Sequence, residues 1–447
     1  MSLEVLPFVD EGLGNSSYLV PLGDDAVLAI DPSRNPARYL AAAERRKWKI
    51  TGAFETHLHA DFISGGRELS AFDAKLFAPA GSRLEFDHHA LDPGDETAFN
   101  GLTVRALATP GHTPEHLAYL VLDGNEPLAL FSGGSLLVGS VARTDLIDPN
   151  ETESLTRRMF RSLQEVLAPL PDDLAVYPTH GFGSFCSAGT SGSRITTLGA
   201  ERKNNPYLHT RDEDRFVRLL LGSLGTYPAY YRQLRARNRQ GPRLYGPDPP
   251  PLKSLSADEV RGLAATGGVV VDTRRVEEWA AGHLPGSLSI RLRAAFATWL
   301  GWLVDIDTPI AFVSSGLPSD AEIIQQCLSI GYENLAGKLE GGVQGWVDAG
   351  HDLVRTDIIT FDEVDNRQVV DVRQTSEWNE RHIAGAVHAE LGSLDSVPIT
   401  DGPLGVHCAH GERAATGVSV LERAGRTDVA LIRDDLDTWL TAQRARA

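Results

Sequence analysis

No run of the 447 residues is apolar over the roughly 20 positions that a membrane-spanning helix needs, so no bilayer-spanning segment is expected. Cysteine is scarce: Cys186, Cys327 and Cys408 are too few for a disulfide framework and point to a reducing compartment. Positive charge is short as well, with 42 Lys and Arg against 60 Asp and Glu, a formal net charge of −18. That field repels nucleic acid and anionic membrane surfaces, so neither is expected as a partner, and the acidity reads as solubility. Met1 to Tyr18 lacks a basic segment followed by an apolar block, which leads to the expectation of a cytoplasmic protein.

What is there is organised in blocks, and the length predicts two or three domains. Short β-type runs (Ser17 to Val20, Ala26 to Ile30, Leu102 to Val104, His116 to Leu122, Leu128 to Phe131, Leu174 to Tyr177) alternate with helical patterns such as Pro36 to Lys47 and Thr152 to Leu167. This mixture predicts a layered α/β domain over residues 1–240, with an Arg-rich helical stretch closing it. The Pro-dense stretch 241–252 reads as an extended linker. Behind it lies an internal repeat. Asp272, Glu278-Trp279, His283 and Gly286 in residues 253–356 are matched by Asp371, Glu377-Trp378, His382 and Gly385 in residues 357–447, with a 99-residue offset from Asp272 to Asp371 and from Gly286 to Gly385. Each copy alternates strands and helices, which predicts a parallel sheet covered on both faces.

Two clusters carry chemistry. The first is Thr56-His57-Leu58-His59-Ala60-Asp61, directly after an apolar stretch, echoed by Gly111-His112 and Thr179-His180. Imidazoles and a carboxylate at such spacing bind zinc or non-haem iron. The second is Cys408-Ala409-His410-Gly411-Glu412-Arg413, between an apolar strand and a helix. A cysteine there faces backbone N–H groups at a helix N-terminus, which favour a thiolate, a persulfide or an oxyanion.

The second cluster resembles the rhodanese sulfurtransferases, whose loop is Cys, four residues, then Arg. Dual-specificity phosphatases of the related fold have a loop one residue longer, and the smaller cradle here suits sulfur better than phosphate. The resemblance implies that Cys408 accepts a sulfane sulfur, that Arg413 binds an anionic donor or acceptor, and that His410 and Gly411 line the substrate cradle. In the first copy Ser314 stands opposite Cys408, and Leu317 and Ser319 replace the loop Gly and Arg, so this copy resembles an inactive rhodanese, a spacer or docking surface. Cys327 lies in an apolar helical pattern and reads as core.

The front segment resembles the metallo-β-lactamase superfamily through Asn15 to Val20, Ile30-Asp31-Pro32, the His57–Asp61 run, Thr109 to Thr113 and Tyr177 to Gly181. Within that superfamily it is most similar to persulfide dioxygenases, with Ala142 to Asp145 among the shared stretches. The resemblance implies an αββα sandwich followed by two rhodanese-like α/β domains with parallel sheets. It implies Fe(II) held by His57, His112 and an aspartate, with Arg143 near the substrate carboxylate. Here the aspartate position is Gly134, so a carboxylate ligand is absent, and Phe62 replaces the histidine that zinc hydrolases of this fold use. His57, His59 and His112 then make the expected three-histidine site, for Fe(II) or alternatively Zn(II), with Asp61 and His180 as the remaining candidates; a site that holds no metal is the third reading. Cys186 is read either as packing or as a sulfur carrier facing the site.

The whole layout resembles dioxygenase–rhodanese fusions. The implied function is oxidation of a low-molecular-weight thiol persulfide to sulfite, with transfer of sulfane sulfur through Cys408 to give thiosulfate, in sulfide detoxification. Fusion would raise the effective concentration of a labile intermediate. The alternatives are a zinc-dependent hydrolase joined to a rhodanese, and a non-catalytic front domain, with only the rhodanese active or the chain sensing persulfides through Cys408. Small thiol persulfide, sulfite and thiosulfate are the expected partners; homo-oligomerisation is left open.

Overall fold

The computed structural model describes residues 3–23, 25–188, 192–316, 319–396, 399 and 401–446. The chain divides into two compact units, Met1–Pro250 with Cys327–Gly331, and Pro251–Gln326 with Tyr332–Ala447.

The front unit is a sandwich of two six-stranded sheets. The first runs in sequence order through Leu6–Asp10, Asn15–Pro21, Ala26–Ile30, Lys49–Phe54, Lys75–Pro79 and His89–Leu91. The second has the order Thr196–Thr197, Ala175–Pro178, Glu126–Gly133, Leu117–Asp123, Leu102–Ala108 and Glu96–Phe99. Asn15–Pro21 and Ala26–Ile30 are buried at almost every position, as strands covered on both faces must be. Tyr18, Phe54 and Phe77 from one sheet meet Tyr119, Val121 and Phe131 from the other in a shared core. Phe54 stacks on Phe77 at 4.4 Å and meets Tyr119 edge-on at 5.1 Å. Helix Ala37–Arg46 packs Tyr39, Ala42 and Ala43 on the outside of the first sheet, and helix Thr152–Arg161 packs Met159 on the outside of the second. This is the expected αββα architecture. The strands extend the sequence-predicted ones by a few residues, because pairing continues past the apolar positions that define them in sequence.

The second unit holds two five-stranded parallel sheets. One has the order Ser254–Leu255, Leu335–Leu339, Ile310–Val313, Val269–Asp272, Leu288–Ser289; the other has Ile358–Ile359, Val429–Ile432, Leu404–His407, Gln368–Asp371, Val387–His388. The repeat thus folds twice into one topology. Each copy has a core cluster of its own, and a further cluster joins them: Val276, Trp279 and Ala280 of the first meet Val406, Ala414 and Val418 of the second. No described helix is long and apolar enough to cross a membrane, and no regular element lies between Gln240 and Ser254.

Candidate functional site

Strand ends build the front site. The His57–Asp61 run follows Lys49–Phe54, His112 follows Leu102–Ala108, Gly134 follows Glu126–Gly133, and His180 follows Ala175–Pro178. Three histidines converge. One ligand atom from each of His57, His112 and His180 lies within 4.8 Å of the others, and all three side chains are buried. His57 Nε2 and His180 Nε2 are 3.3 Å apart.

The opposite nitrogen of each ring has its own acceptor. Thr56 Oγ1 donates to Asp31 Oδ2 at 2.7 Å, so it accepts from His57 Nδ1–H at 2.8 Å. His112 Nδ1–H donates to the Arg143 carbonyl at 2.6 Å. His180 Nδ1–H faces Asn15 Oδ1 at 3.1 Å and Asp61 Oδ2 at 3.2 Å. Donation through Nδ1 fixes the tautomer that leaves the Nε2 lone pair for a metal. Burial, and after it the neighbouring imidazoles, hold His57 and His112 well below the ordinary histidine range, so both are neutral at pH 7, as ligands must be. The donor set therefore fits one metal ion that accepts imidazole nitrogen.

His59 is not in this group. Its Nε2 lies 3.3 Å from both Asp31 Oδ1 and Glu55 Oε2, and its ring stacks on Phe62 at 4.1 Å. Burial opposes its charged form, but the two carboxylates outweigh burial and raise its pKa to about 10. An imidazolium has no lone pair to give. The expected grouping of His57, His59 and His112 is not among the ligand-sized clusters of the described residues, whereas His57, His112 and His180 is, and His59 faces the carboxylates of Asp31 and Glu55. His59 does share two further ligand-sized clusters, with Asp31 and His57 and with Asp61 and His180. Asp61 is held by Asn15 Nδ2 at 2.9 Å and by His180; burial opposes its ionisation, but these partners keep its carboxyl well below the usual range.

Gly134, expected as a ligand position that has lost its side chain, has no room for one. A Cβ there would sit 2.5 Å from His112 Cδ2 and 3.2 Å from the Ala142 methyl. Its N–H donates to His116 Nε2 at 2.9 Å, and His116 Nδ1–H donates to Thr109 Oγ1 at 2.8 Å. His116 stacks on His57 at 5.0 Å and, chiefly through burial, has its pKa lowered to about 3. This fifth buried histidine of the site is not singled out by the sequence analysis; its signal is the four-residue spacing from His112. Gly134→Asp is expected to lose metal rather than gain a ligand, because the new side chain must expel the His112 ring from the Arg143 carbonyl. Overpacking should also cost about 1–3 kcal/mol of stability. Metal content and denaturant unfolding of the purified variant check this; tighter metal binding would show that a carboxylate fits.

Arg143, expected near the substrate carboxylate, is engaged within the fold. All five of its N–H donors are used within the fold: two go to Asp145 at 2.7 and 2.9 Å, and the others reach the carbonyls of Phe185, Gly225 and Thr226. The guanidinium also covers the Tyr227 ring at 4.4 Å. It ties loops together beneath His112. Cys186 is fully buried, and burial, then the charge of Asp61, push its thiol well up, which suits packing rather than sulfur carriage. Cys327 is buried as expected.

In the second unit, strand Leu404–His407 delivers Cys408 to the N-terminus of helix Glu412–Arg423. Gly411 caps that helix with φ 85°, a conformation that favours glycine, and so aims its N–H at Cys408 Sγ at 3.1 Å; Ala414 N adds a second donor at 3.4 Å. This is the expected cradle. Arg413 makes two hydrogen bonds to Glu377, at 2.5 and 2.8 Å, which fix its guanidinium beside the loop. His410 is exposed at the loop tip and touches no group that would orient a substrate, so its expected lining role rests on position alone. In the first copy Ser314 Oγ donates to Asp320 Oδ1 at 2.7 Å, and Lys338 pairs with the same carboxylate. A hydroxyl beside an acid replaces the thiol cradle there; Leu317 lies outside the described residues.

Residues 9–180 match the metallo-beta-lactamase superfamily, and residues 256–349 and 360–442 match the rhodanese-like domain. A hydroxyacylglutathione hydrolase of Rhodopseudomonas palustris (strain BisB18) is 32% identical over 200 residues, 44% of this chain and 71% of that protein. One from Rhizobium johnstonii is 30% identical over 203 residues, 39% of this chain and 75% of that protein. A solved metallo-beta-lactamase from Staphylococcus aureus subsp. aureus COL aligns over 76% of this chain and 99% of its own, at 28% identity and a TM-score of 0.68. That alignment covers more of the chain than the front unit alone supplies.

Proposed function

Because the chain belongs to the metallo-beta-lactamase superfamily and carries two rhodanese-like domains behind that fold, we propose that it is a two-step enzyme of sulfur metabolism. The front unit oxidises a low-molecular-weight thiol persulfide: RSSH, O2 and water give RSH, sulfite and two protons. Cys408 carries the second step. Its thiolate takes the outer sulfur of a donor, and the resulting persulfide passes that sulfur to sulfite, forming thiosulfate and regenerating the thiolate. The observation that carries this reading is the pairing, in one chain, of a three-histidine donor set with a cysteine held by two backbone N–H groups.

His57, His112 and His180 would hold the metal, and Fe(II) there would supply activation of O2. The chain's own residues set the rest. Thr56, the Arg143 carbonyl, Asn15 and Asp61 keep each imidazole in its ligating tautomer. The His59, Asp31 and Glu55 cluster places buried charge beside the site. In the rhodanese loop, the Gly411 and Ala414 N–H groups stabilise negative charge on the Cys408 sulfur as it leaves the transferred atom.

A second reading, a zinc-dependent thioester hydrolase, is favoured by the hydroxyacylglutathione hydrolases among the relatives. One experiment separates them: metal analysis of the purified protein together with O2 uptake on addition of glutathione persulfide. Stoichiometric iron with persulfide-dependent O2 consumption and sulfite release is expected. Zinc without O2 uptake would replace the first reading by the second, and no metal in protein from metal-replete cells would sink both.

A further inference from the structure

The first rhodanese copy, which lacks the reactive cysteine, reaches into the loop of the second. Glu412 stands between Gly411, whose N–H points at Cys408 Sγ, and Arg413. A carboxylate there opposes both a thiolate at Cys408 and the approach of an anionic sulfur compound. Two guanidiniums from the first copy close on it: Arg291 Nη1 lies 2.5 Å from one Glu412 oxygen, and Arg293 Nε lies 2.5 Å from the other. Arg413 is already matched by Glu377, so the two arginines on one carboxylate leave one net positive charge on a residue next in sequence to Gly411 of the cradle. The contact is built in. The same helix is docked on the first copy by Thr416 Oγ1, which donates to the Ser289 carbonyl at 2.6 Å, and by Ser419 Oγ, which accepts from Ser289 N at 3.0 Å.

We propose that Arg291 and Arg293 of the copy without the loop cysteine are specificity-determining residues for the Cys408 site: by cancelling and reversing the charge of Glu412 they favour anionic sulfur donors and acceptors over neutral ones. The sulfur part of this statement rests on the reading of Cys408 as the sulfur-carrying residue. The role is electrostatic and indirect, so removing the opposing acid should undo part of the loss of the arginines.

The test measures alkylation of Cys408 in the full chain by iodoacetate, an anion, and by iodoacetamide, its neutral counterpart, following the Cys408 peptide by mass spectrometry. Loss of two charges near the reacting sulfur should lower the anion-to-neutral rate ratio about tenfold in R291A/R293A. Adding E412Q to that variant recovers one of the two units of charge and should restore the ratio to within about threefold of the native value, and R291K/R293K, which keeps the charge, should leave it unchanged. In parallel the KM for thiosulfate should rise in R291A/R293A by more than kcat falls. An unchanged ratio in the alanine pair overturns the proposal. So does a fall that E412Q does not reverse, which would assign the arginines to loop packing or to direct contact with the anion. The alkylation ratio reads the field at Cys408 whether or not sulfur is transferred, so failure of the sulfurtransferase reading, tested separately by Cys408→Ser, does not mimic failure here.

Discussion

Cys408→Ser will abolish sulfur transfer from thiosulfate, by at least about 10³-fold, while leaving persulfide-dependent O2 uptake within about twofold of the native rate. Serine matches the size of cysteine, and the Gly411 and Ala414 N–H groups remain in place, so the fold and the cradle survive the change. What is lost is the atom that forms the S–S bond. Neither Cys186 nor Cys327 can substitute. Both are fully buried, and burial pushes both thiols up, away from the reactive thiolate. A sulfurtransferase assay with purified variant settles the matter; transfer that persists would move the chemistry away from this loop.

The second large effect separates the two histidine groupings. His180→Ala is expected to weaken metal binding more than about 100-fold, as are His57→Ala and His112→Ala, because each removes one of three imidazole nitrogens turned to a common centre. His59→Ala should behave differently. It leaves the donor set intact but strands Asp31 and Glu55 as buried carboxylates without their cation, a loss of about 3–5 kcal/mol of stability. Metal content after dialysis and urea unfolding, measured on the same four variants, resolve the two classes. Loss of metal in His59→Ala with retention in His180→Ala would restore the grouping that sequence spacing suggests.

That contrast shows where sequence reading stops. The His-x-His-x-Asp run was legible because it follows an apolar strand and is echoed by two further strand-end histidines. Which imidazole faces the centre was not legible. It depends on Asp31 and Glu55, which neighbouring strands of the first sheet bring against His59 and which alternation of apolar and polar residues says nothing about. The sequence marks Gly134 as a position without a carboxylate, yet only packing shows that the His112 ring lies where a side chain would go. For Arg143 the family resemblance implies a place near the substrate carboxylate; its five donors find partners on segments more than 40 residues away as well as on Asp145, which the sequence does not reveal. The rhodanese repeat was read more fully, since a strand, a short loop and a helix N-terminus are local. Cys408 and Gly411 meet within four residues of chain. What the repeat concealed was that a core cluster joins its two copies and that arginines of the first reach Glu412 of the second.

The central claim is that the front unit holds one metal ion on three histidines. X-ray absorption at the metal edge, on protein whose metal content has been counted, tests it most directly. One iron per chain with three imidazole ligands, reduced to two in His180→Ala, is the result expected. Two metals per chain, or a first shell unchanged in His180→Ala, would contradict it.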